Sequence, residues 1–127
     1  MNTKIFEAYD VRGIYPTDIN SEVVKQIVPG LKKLINPGQI VVAHDGRYGS
    51  TELAKTLEDE LGKDGDYTVT MVGLSTTPMF YFLVNDLKAE GGVMVTASHN
   101  PKEYNGLKAV RKEALPISGI ELRDALV

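Results

Sequence analysis

Apolar positions along the chain follow two rhythms, and their alternation predicts the layers of the fold. Val23, Val24, Ile27, Val28, Leu31, Leu34 and Ile35 recur at helical spacing. The segment opens at Asn20-Ser21, where Ser21 is suited to cap a first helix. Pro29-Gly30 lies inside that pattern. A mid-helix proline removes a hydrogen bond and costs about 3 kcal/mol, which predicts a kink or two shorter pieces. Asn36-Pro37-Gly38 is a turn signal, and Gln39 to Ala43 then reads as a buried strand. His44-Asp45-Gly46-Arg47 leaves that strand as a loop. A second helix from Ser50 or Thr51 places Leu53, Leu57 and Leu61 on one face. Gly62 to Asp66 reads as a turn, Tyr67 to Val72 as a second strand, and Gly73 to Thr77 as a loop. Pro78 suits the first turn of a third helix, with Phe80, Leu83, Val84 and Leu87 facing inward. Gly92 to Thr96 and Gly106 to Val110 are the third and fourth strands. The turn between them carries Asn100-Pro101 and Asn105-Gly106, and Ser118 caps a last short helix through Leu126. Residues 4–17 show no clear period and read as irregular.

Strands alternating with helices predict an α/β chain. The expected architecture is a three-layer α/β/α domain with a mixed, mainly parallel four-stranded sheet. A chain of 127 residues suggests a single domain, 1–127. At this length roughly two-thirds of the unfolded surface is buried on folding, enough for a real core. The last residues, Leu126-Val127, carry no helix stop signal, which raises the expectation of a domain cut from a longer chain.

Charge and composition narrow the function classes. The formal charge is −3, which gives no global attraction for nucleic acid or anionic lipid, so any anion site must be local. There is no cysteine, hence no disulfide and no thiolate chemistry, and two histidines cannot make a histidine-rich metal site. No signal-like core opens the chain and no apolar run reaches about 18 residues, so the expectation is a cytoplasmic protein without membrane spans.

In α/β sheets, ligands gather beyond the C-terminal ends of strands. Three loops rich in small and polar residues leave predicted strands: His44 to Gly49, Gly73 to Thr77, and Ala97 to Asn105. In the third, the apolar run Gly92-Val93-Met94-Val95 ends in Thr96-Ala97-Ser98-His99-Asn100-Pro101, and proline forbids the strand from continuing. Such a junction presents the Ser98 hydroxyl at the rim of the sheet, and Lys108 follows across a tight turn. Taken locally, a polar turn capping a strand accounts for the same pattern. His99 reads as a general acid/base, a phosphate donor, or a loop residue bonded to a carbonyl. Adjacent side chains on extended backbone point apart, which makes a Ser98–His99 dyad poor. Tyr9, Asp10 and Arg12 form a polar-aromatic cluster that suits either ligand binding or a salt bridge fixing a loop. Arg47 is read as structural or as a helix-start contact, His44 as structural, and Asp64-Gly65-Asp66 as a turn.

These separate features coincide in one resemblance. Phe6 to Gly13 resembles the opening F-x-A-Y-D-[IV]-R-G of the α-D-phosphohexomutases, the phosphoglucomutase and phosphomannomutase enzymes. Val42 to Arg47 resembles their strand followed by D-G-R, and Gly73 to Pro78 their G-x-x-x-T-P loop. Gly92 to Lys108 is similar to G-[GV]-[VM]-M-x-T-[AG]-S-H-N-P…Y-N-G-x-K. The match covers nearly the whole chain, and the serine loop is its most specific part.

The resemblance implies that Ser98 carries a phosphoryl group and exchanges it with a hexose monophosphate through a hexose bisphosphate. It implies catalytic roles for Ser98, Lys108, His99 and Arg12, and substrate contacts from Tyr9, Arg12, Asn100 and Lys108. It implies Mg²⁺ held against the phosphoserine, so that Ser98, through its phosphate, is the only metal contact in this chain. Family enzymes have four domains, and this chain matches the first. It has no D-G-D-x-D-R metal loop, no sugar-recognition loop and no phosphate-clamping loop. The remaining domains are therefore expected partners, surfaces meant for them should be exposed, and the domain alone should have little or no mutase activity. Two other readings stand beside this one: a stand-alone domain that binds phosphosugars or anions without catalysis, and a serine hydrolase. The hydrolase is the weakest, since no aspartate is placed to orient His99 and no G-x-S-x-G elbow is present.

Overall fold

A computed structural model describes all residues, 1–127. Strand β1 (Val11–Ile14) is followed by helix α1 (Ser21–Leu34), β2 (Gly38–His44), α2 (Ser50–Gly62) and β3 (Tyr67–Leu74). Helix α3 (Thr77–Asp86), β4 (Gly91–Val95), β5 (Tyr104–Arg111), β6 (Leu115–Ile117) and α4 (Gly119–Ala125) complete the chain. The order across the sheet is β1-β5-β4-β2-β3, with β6 also on β5.

The layered α/β/α architecture matches expectation, but the sheet has six strands rather than four. The two additional strands lie end to end on one edge of β5. β1, inside the segment read as irregular, pairs with Tyr104 to Leu107, and β6 pairs with Ala109 to Arg111. Both are too short to show a period, and β6 contains Pro116, which an edge strand tolerates. β2, β3 and β4 run parallel, and β5 alone runs against the others.

Alternation along the central strands divides the core between the two faces. Ile40, Val42, Val93, Val95, Leu107 and Ala109 pack with the helix face built from α1, α2 and α4. Val41, Ala43, Met94 and Val110 pack with Phe80 and Val84 of α3 on the other face. Leu87, expected on the inner face of α3, is instead exposed at its C-cap, while Tyr81 packs beside Phe80.

Helix α1 is continuous through Pro29, not split as expected. Proline deprives the Lys25 carbonyl of its partner. Both residues lie on the exposed face, so the unpaired carbonyl is not sealed in the core. The next residue, Gly30, is buried where α4 crosses, with Leu122 and Leu126 filling the space a side chain would need. Asn20, rather than Ser21, caps α1, accepting from the Val23 N–H at 2.9 Å. Ser118 caps α4 as expected, reciprocated by Glu121. β3 runs two residues past the expected strand end. A register shift opposite Val42/Ala43 and the left-handed Gly73 (φ +84°) carry it through Leu74. Asp64-Gly65-Asp66 is a turn, with Asp64 paired to Lys32 at 3.1 Å. No helix is long and apolar enough to cross a membrane.

Candidate active site

The three loops singled out in the sequence meet beyond the C-terminal ends of β2, β3 and β4. β4 ends at Val95, and the chain turns through Thr96 and the buried Ala97 to an exposed Ser98. Ser98 is left-handed, at φ +56°. That region costs a residue with a side chain roughly 1–2 kcal/mol. It persists because both flanking peptide groups are held. The Ser98 N–H donates to Thr96 Oγ1 at 3.0 Å, and the Ser98 carbonyl accepts from Arg47 Nη2 at 2.7 Å. The Ser98 hydroxyl has no such fixed partner within the chain and faces solvent.

Ser98 lies on the wall between two cavities. The first, about 580 Å³, brings Ser98 together with His99 and Lys108, the residues the sequence had marked. Asp45, Met94, Thr96, Ser75, Thr76, Thr77 and Pro78 complete its lining. Lys108 reaches it because of strand register. Lys108 sits opposite Met94, on the sheet face that bears α3, and diagonal to Thr96 at the strand's end. Thr76 caps α3, accepting from the Met79 N–H at 3.2 Å, so the helix directs its N-terminal turn at the same cavity. A helix N-terminus carries partial positive charge and free N–H groups, which favour an anion. Thr76 and Thr77 were legible only as a loop; the proline that follows them was the signal of the helix start.

The second cavity, about 780 Å³, lies on the other side of the serine loop. It is lined by Ser98, Asn100, Arg47, Lys102, Tyr15 and Tyr48 among others. Asn100 faces this side, and its amide is committed to the turn, donating to the Ala97 carbonyl at 2.9 Å.

Arg12 and Tyr9 line neither cavity. Arg12 lies opposite Gly106 on β1, on the same sheet face as Lys108 two residues further along β5. Its Nε donates to Asp10 Oδ1 at 2.9 Å and lies 3.6 Å from Glu7, the salt-bridge alternative recognised in the sequence. Asp10 is 3% exposed. Burial, and secondarily the charge of Asp10, push the Tyr81 hydroxyl above its ordinary pKa. Tyr9 is 74% exposed. His44 Nδ1 donates to the Asp45 carbonyl at 2.8 Å, a structural contact.

Arg47 proves more deeply involved than its sequence suggested. It joins Asp45 to the carbonyls of Ser98, Asn100, Pro101 and Tyr104. No group of three or more histidine, aspartate or glutamate side chains is arranged to hold a metal. Asp45, the one carboxylate of the Ser98–Lys108 cavity, is engaged by Arg47 and Ser50.

Fold and site together define a class: an α/β/α domain that exposes one serine beyond a central strand, flanked by a lysine and a helix N-terminus. Comparison with known proteins makes the class specific. Residues 3–123 match the family described as phosphoglucomutase/phosphomannomutase, alpha/beta/alpha domain I, and the chain belongs to that family. It is 42% identical over 118 residues to the phosphohexose mutases protein of Xanthomonas campestris pv. campestris, covering 93% of this chain and 26% of the relative. It is 42% identical over 114 residues to a phosphomannomutase of Klebsiella pneumoniae, covering 90% of this chain and 72% of the relative. The fold superimposes on a phosphoglucomutase/phosphomannomutase family protein from Burkholderia thailandensis with TM-score 0.85 and 30% identity. That match covers 99% of this chain and 29% of the other. The chain thus spans about a quarter of the length of the Xanthomonas relative.

Proposed function

We propose that this chain is the phosphoserine domain of a sugar phosphomutase that interconverts hexose 1-phosphate and hexose 6-phosphate. The observation that carries the reading is the shared cavity of Ser98, His99 and Lys108 under the N-terminus of α3. Phosphoryl transfer asks chiefly for in-line placement and for cations around the equatorial oxygens. An exposed hydroxyl on a fixed turn supplies the first, and Lys108 with the helix terminus the second.

In the forward half-reaction the bond from phosphorus to Ser98 Oγ breaks as a bond to a sugar oxygen forms. The sugar hydroxyl gives up a proton and the serine oxygen gains one. Lys108 donates to the departing oxygen and is restored by the incoming hydroxyl. The hexose bisphosphate then returns its other phosphoryl group to Ser98. His99, at the mouth of the cavity, contacts the phosphoryl group. Arg12 and Tyr9, on the adjoining edge, meet the substrate when the remaining domains close over this face. Family membership supports a phosphomutase reading, and the resemblance of the serine loop to the family motif is what suggests these roles.

Mg²⁺ belongs to the same proposal, and this chain does not make a cation site by itself. In this chain only the phosphate on Ser98 would contact the ion, which would neutralise charge on the transferring phosphoryl group, and the other ligands would come from the remaining domains. Those domains also supply the substrate clamps, so the domain alone lacks turnover.

The test uses the longer enzyme that carries this domain. Incubation with hexose bisphosphate should add one phosphate that maps to Ser98 by mass spectrometry, and Ser98→Ala should abolish nearly all turnover. Normal turnover in that variant refutes the mechanism. Binding of hexose phosphate with no label ever reaching Ser98 would favour the non-catalytic, anion-binding reading.

A further inference from the structure

Resting on the reading just given, we propose that Arg47 is a positioning residue that sets the presentation of Ser98 through the main chain, and that it is not a phosphate ligand. A cation beside a phosphate carrier invites the opposite assignment, and the hydrogen-bond inventory decides between them. A guanidinium has five N–H donors. Nε donates to Asp45 Oδ2 at 3.1 Å. Nη1 donates to the Pro101 carbonyl at 2.7 Å and the Tyr104 carbonyl at 3.1 Å. Nη2 donates to the Ser98 and Asn100 carbonyls, each at 2.7 Å. All five are consumed by the protein, and the side chain is only 15% exposed. Nothing is left to donate to a phosphate.

What those bonds accomplish is legible from the turn. Asn100 folds back on Ala97, and the Tyr104 N–H donates to Pro101, so the loop has a local shape of its own. Local bonds do not tie that shape to the sheet. The Tyr15 N–H, just past β1, holds the far arm at the Glu103 carbonyl (2.9 Å), and Arg47 holds the Ser98 arm, because its own anchor is rigid. Asp45 Oδ1 accepts from the Arg47 N–H at 3.1 Å and from Ser50 Oγ at 2.7 Å. Ser50 Oγ accepts from the fully buried Asn105 at 3.0 Å. Asn105 also donates to the Tyr48 carbonyl and accepts from Gly106 at the start of β5. A closed path therefore runs from the end of β2, through Arg47, to both arms of the serine loop. With the Ser98 N–H on Thr96 and its carbonyl on Arg47, the two peptide planes that define φ and ψ at Ser98 are both fixed. The left-handed conformation follows, and with it the direction of the Cα–Cβ bond that carries the hydroxyl. Lysine cannot replace the arrangement: three donors on a compact ammonium cannot reach four carbonyls in a plane.

The experiment compares Arg47→Lys with wild type in the longer enzyme, by hydrogen exchange and by steady-state kinetics. Exchange at residues 98–104 should rise by about tenfold or more while β2 and β4 keep their protection. The value of kcat should fall by at least about tenfold with KM for hexose phosphate nearly unchanged, because misplacement of a reacting group by about 1 Å costs on the order of 10²-fold in rate. Unchanged loop exchange overturns the proposal, as does a raised KM at constant kcat, the signature of a lost phosphate contact. Should Arg47→Lys fail to fold, Asp45→Asn, which removes the charge of the anchor and leaves Arg47 in place, must give the same pattern. If wild-type Ser98 never takes up phosphate, the mutase reading fails while loop exchange still decides the role of Arg47.

Discussion

Replacing Ser98 separates the cost of its conformation from the use of its hydroxyl. Ser98 stands at φ +56°, and its hydroxyl faces solvent. Alanine keeps the Cβ that makes this region unfavourable, so Ser98→Ala should change stability by no more than about 0.5 kcal/mol. Glycine removes the Cβ and recovers roughly 1–2 kcal/mol of left-handed penalty. Against that stands about 0.4–1 kcal/mol for the greater freedom of glycine in the unfolded chain. Ser98→Gly should therefore exceed Ser98→Ala in stability by about 0.5–1 kcal/mol, or roughly 2–4 °C in Tm for a domain of this size. Parallel thermal melts of the wild type and both variants, followed by circular dichroism at neutral pH, measure the difference. A glycine variant no more stable than the alanine variant would refute the idea that the surrounding bonds hold a strained residue in place. The expected outcome is a residue kept for its hydroxyl at the expense of stability, as strained positions at functional sites often are.

Other perturbations test other parts of the structure. Gly30→Val should destabilise the domain by about 1–3 kcal/mol, since an added Cβ would stand 2.9 Å from Leu126 and 3.0 Å from Leu122. Hydrogen exchange should show α4 loosened first, and undisturbed α4 protection would contradict the close crossing. Lys108→Met, in the longer enzyme, should lower the rate of Ser98 phosphorylation by roughly 10²–10³-fold while leaving the melt unchanged; wild-type loading kinetics would remove Lys108 from the mechanism. Glu52 is held below its ordinary pKa by hydrogen bonds from Tyr15 and Ser21. A depressed carboxylate adds stability that is fully present above its unfolded pKa and lost as pH falls through the folded one. Glu52→Gln should therefore make stability less dependent on pH on the acid side, and melts across that range that match wild type would contradict it.

Much of the fold was legible because it depends on local rules. The helical spacing of Val23 to Leu31, the Pro78 helix start, the Ser118 capping box and the apolar runs of β2 and β4 each specify an element from a few neighbouring residues. The short strands β1 and β6 were not legible, since four and three residues exist as strands only because β5 offers an edge. Pro29 misled for the complementary reason. Its cost in a helix is real, but burial of Val23, Val24, Ile27, Val28 and Leu31 on the opposite face outweighs it.

The same division runs through the site. The order of residue types around Ser98, with proline ending the strand and lysine beyond the turn, was written in the sequence, along with the family it belongs to. Local order could not say that Lys108 lies on the face of α3, since a shift of one residue in register would reverse its side. Nor could it say that Arg47, 51 residues before Ser98, would hold that residue's carbonyl. Contacts between distant segments depend on which strands pair and which loops meet at their ends. Sequence chose the chemistry; the pairing of β2, β4 and β5 brought it to one place.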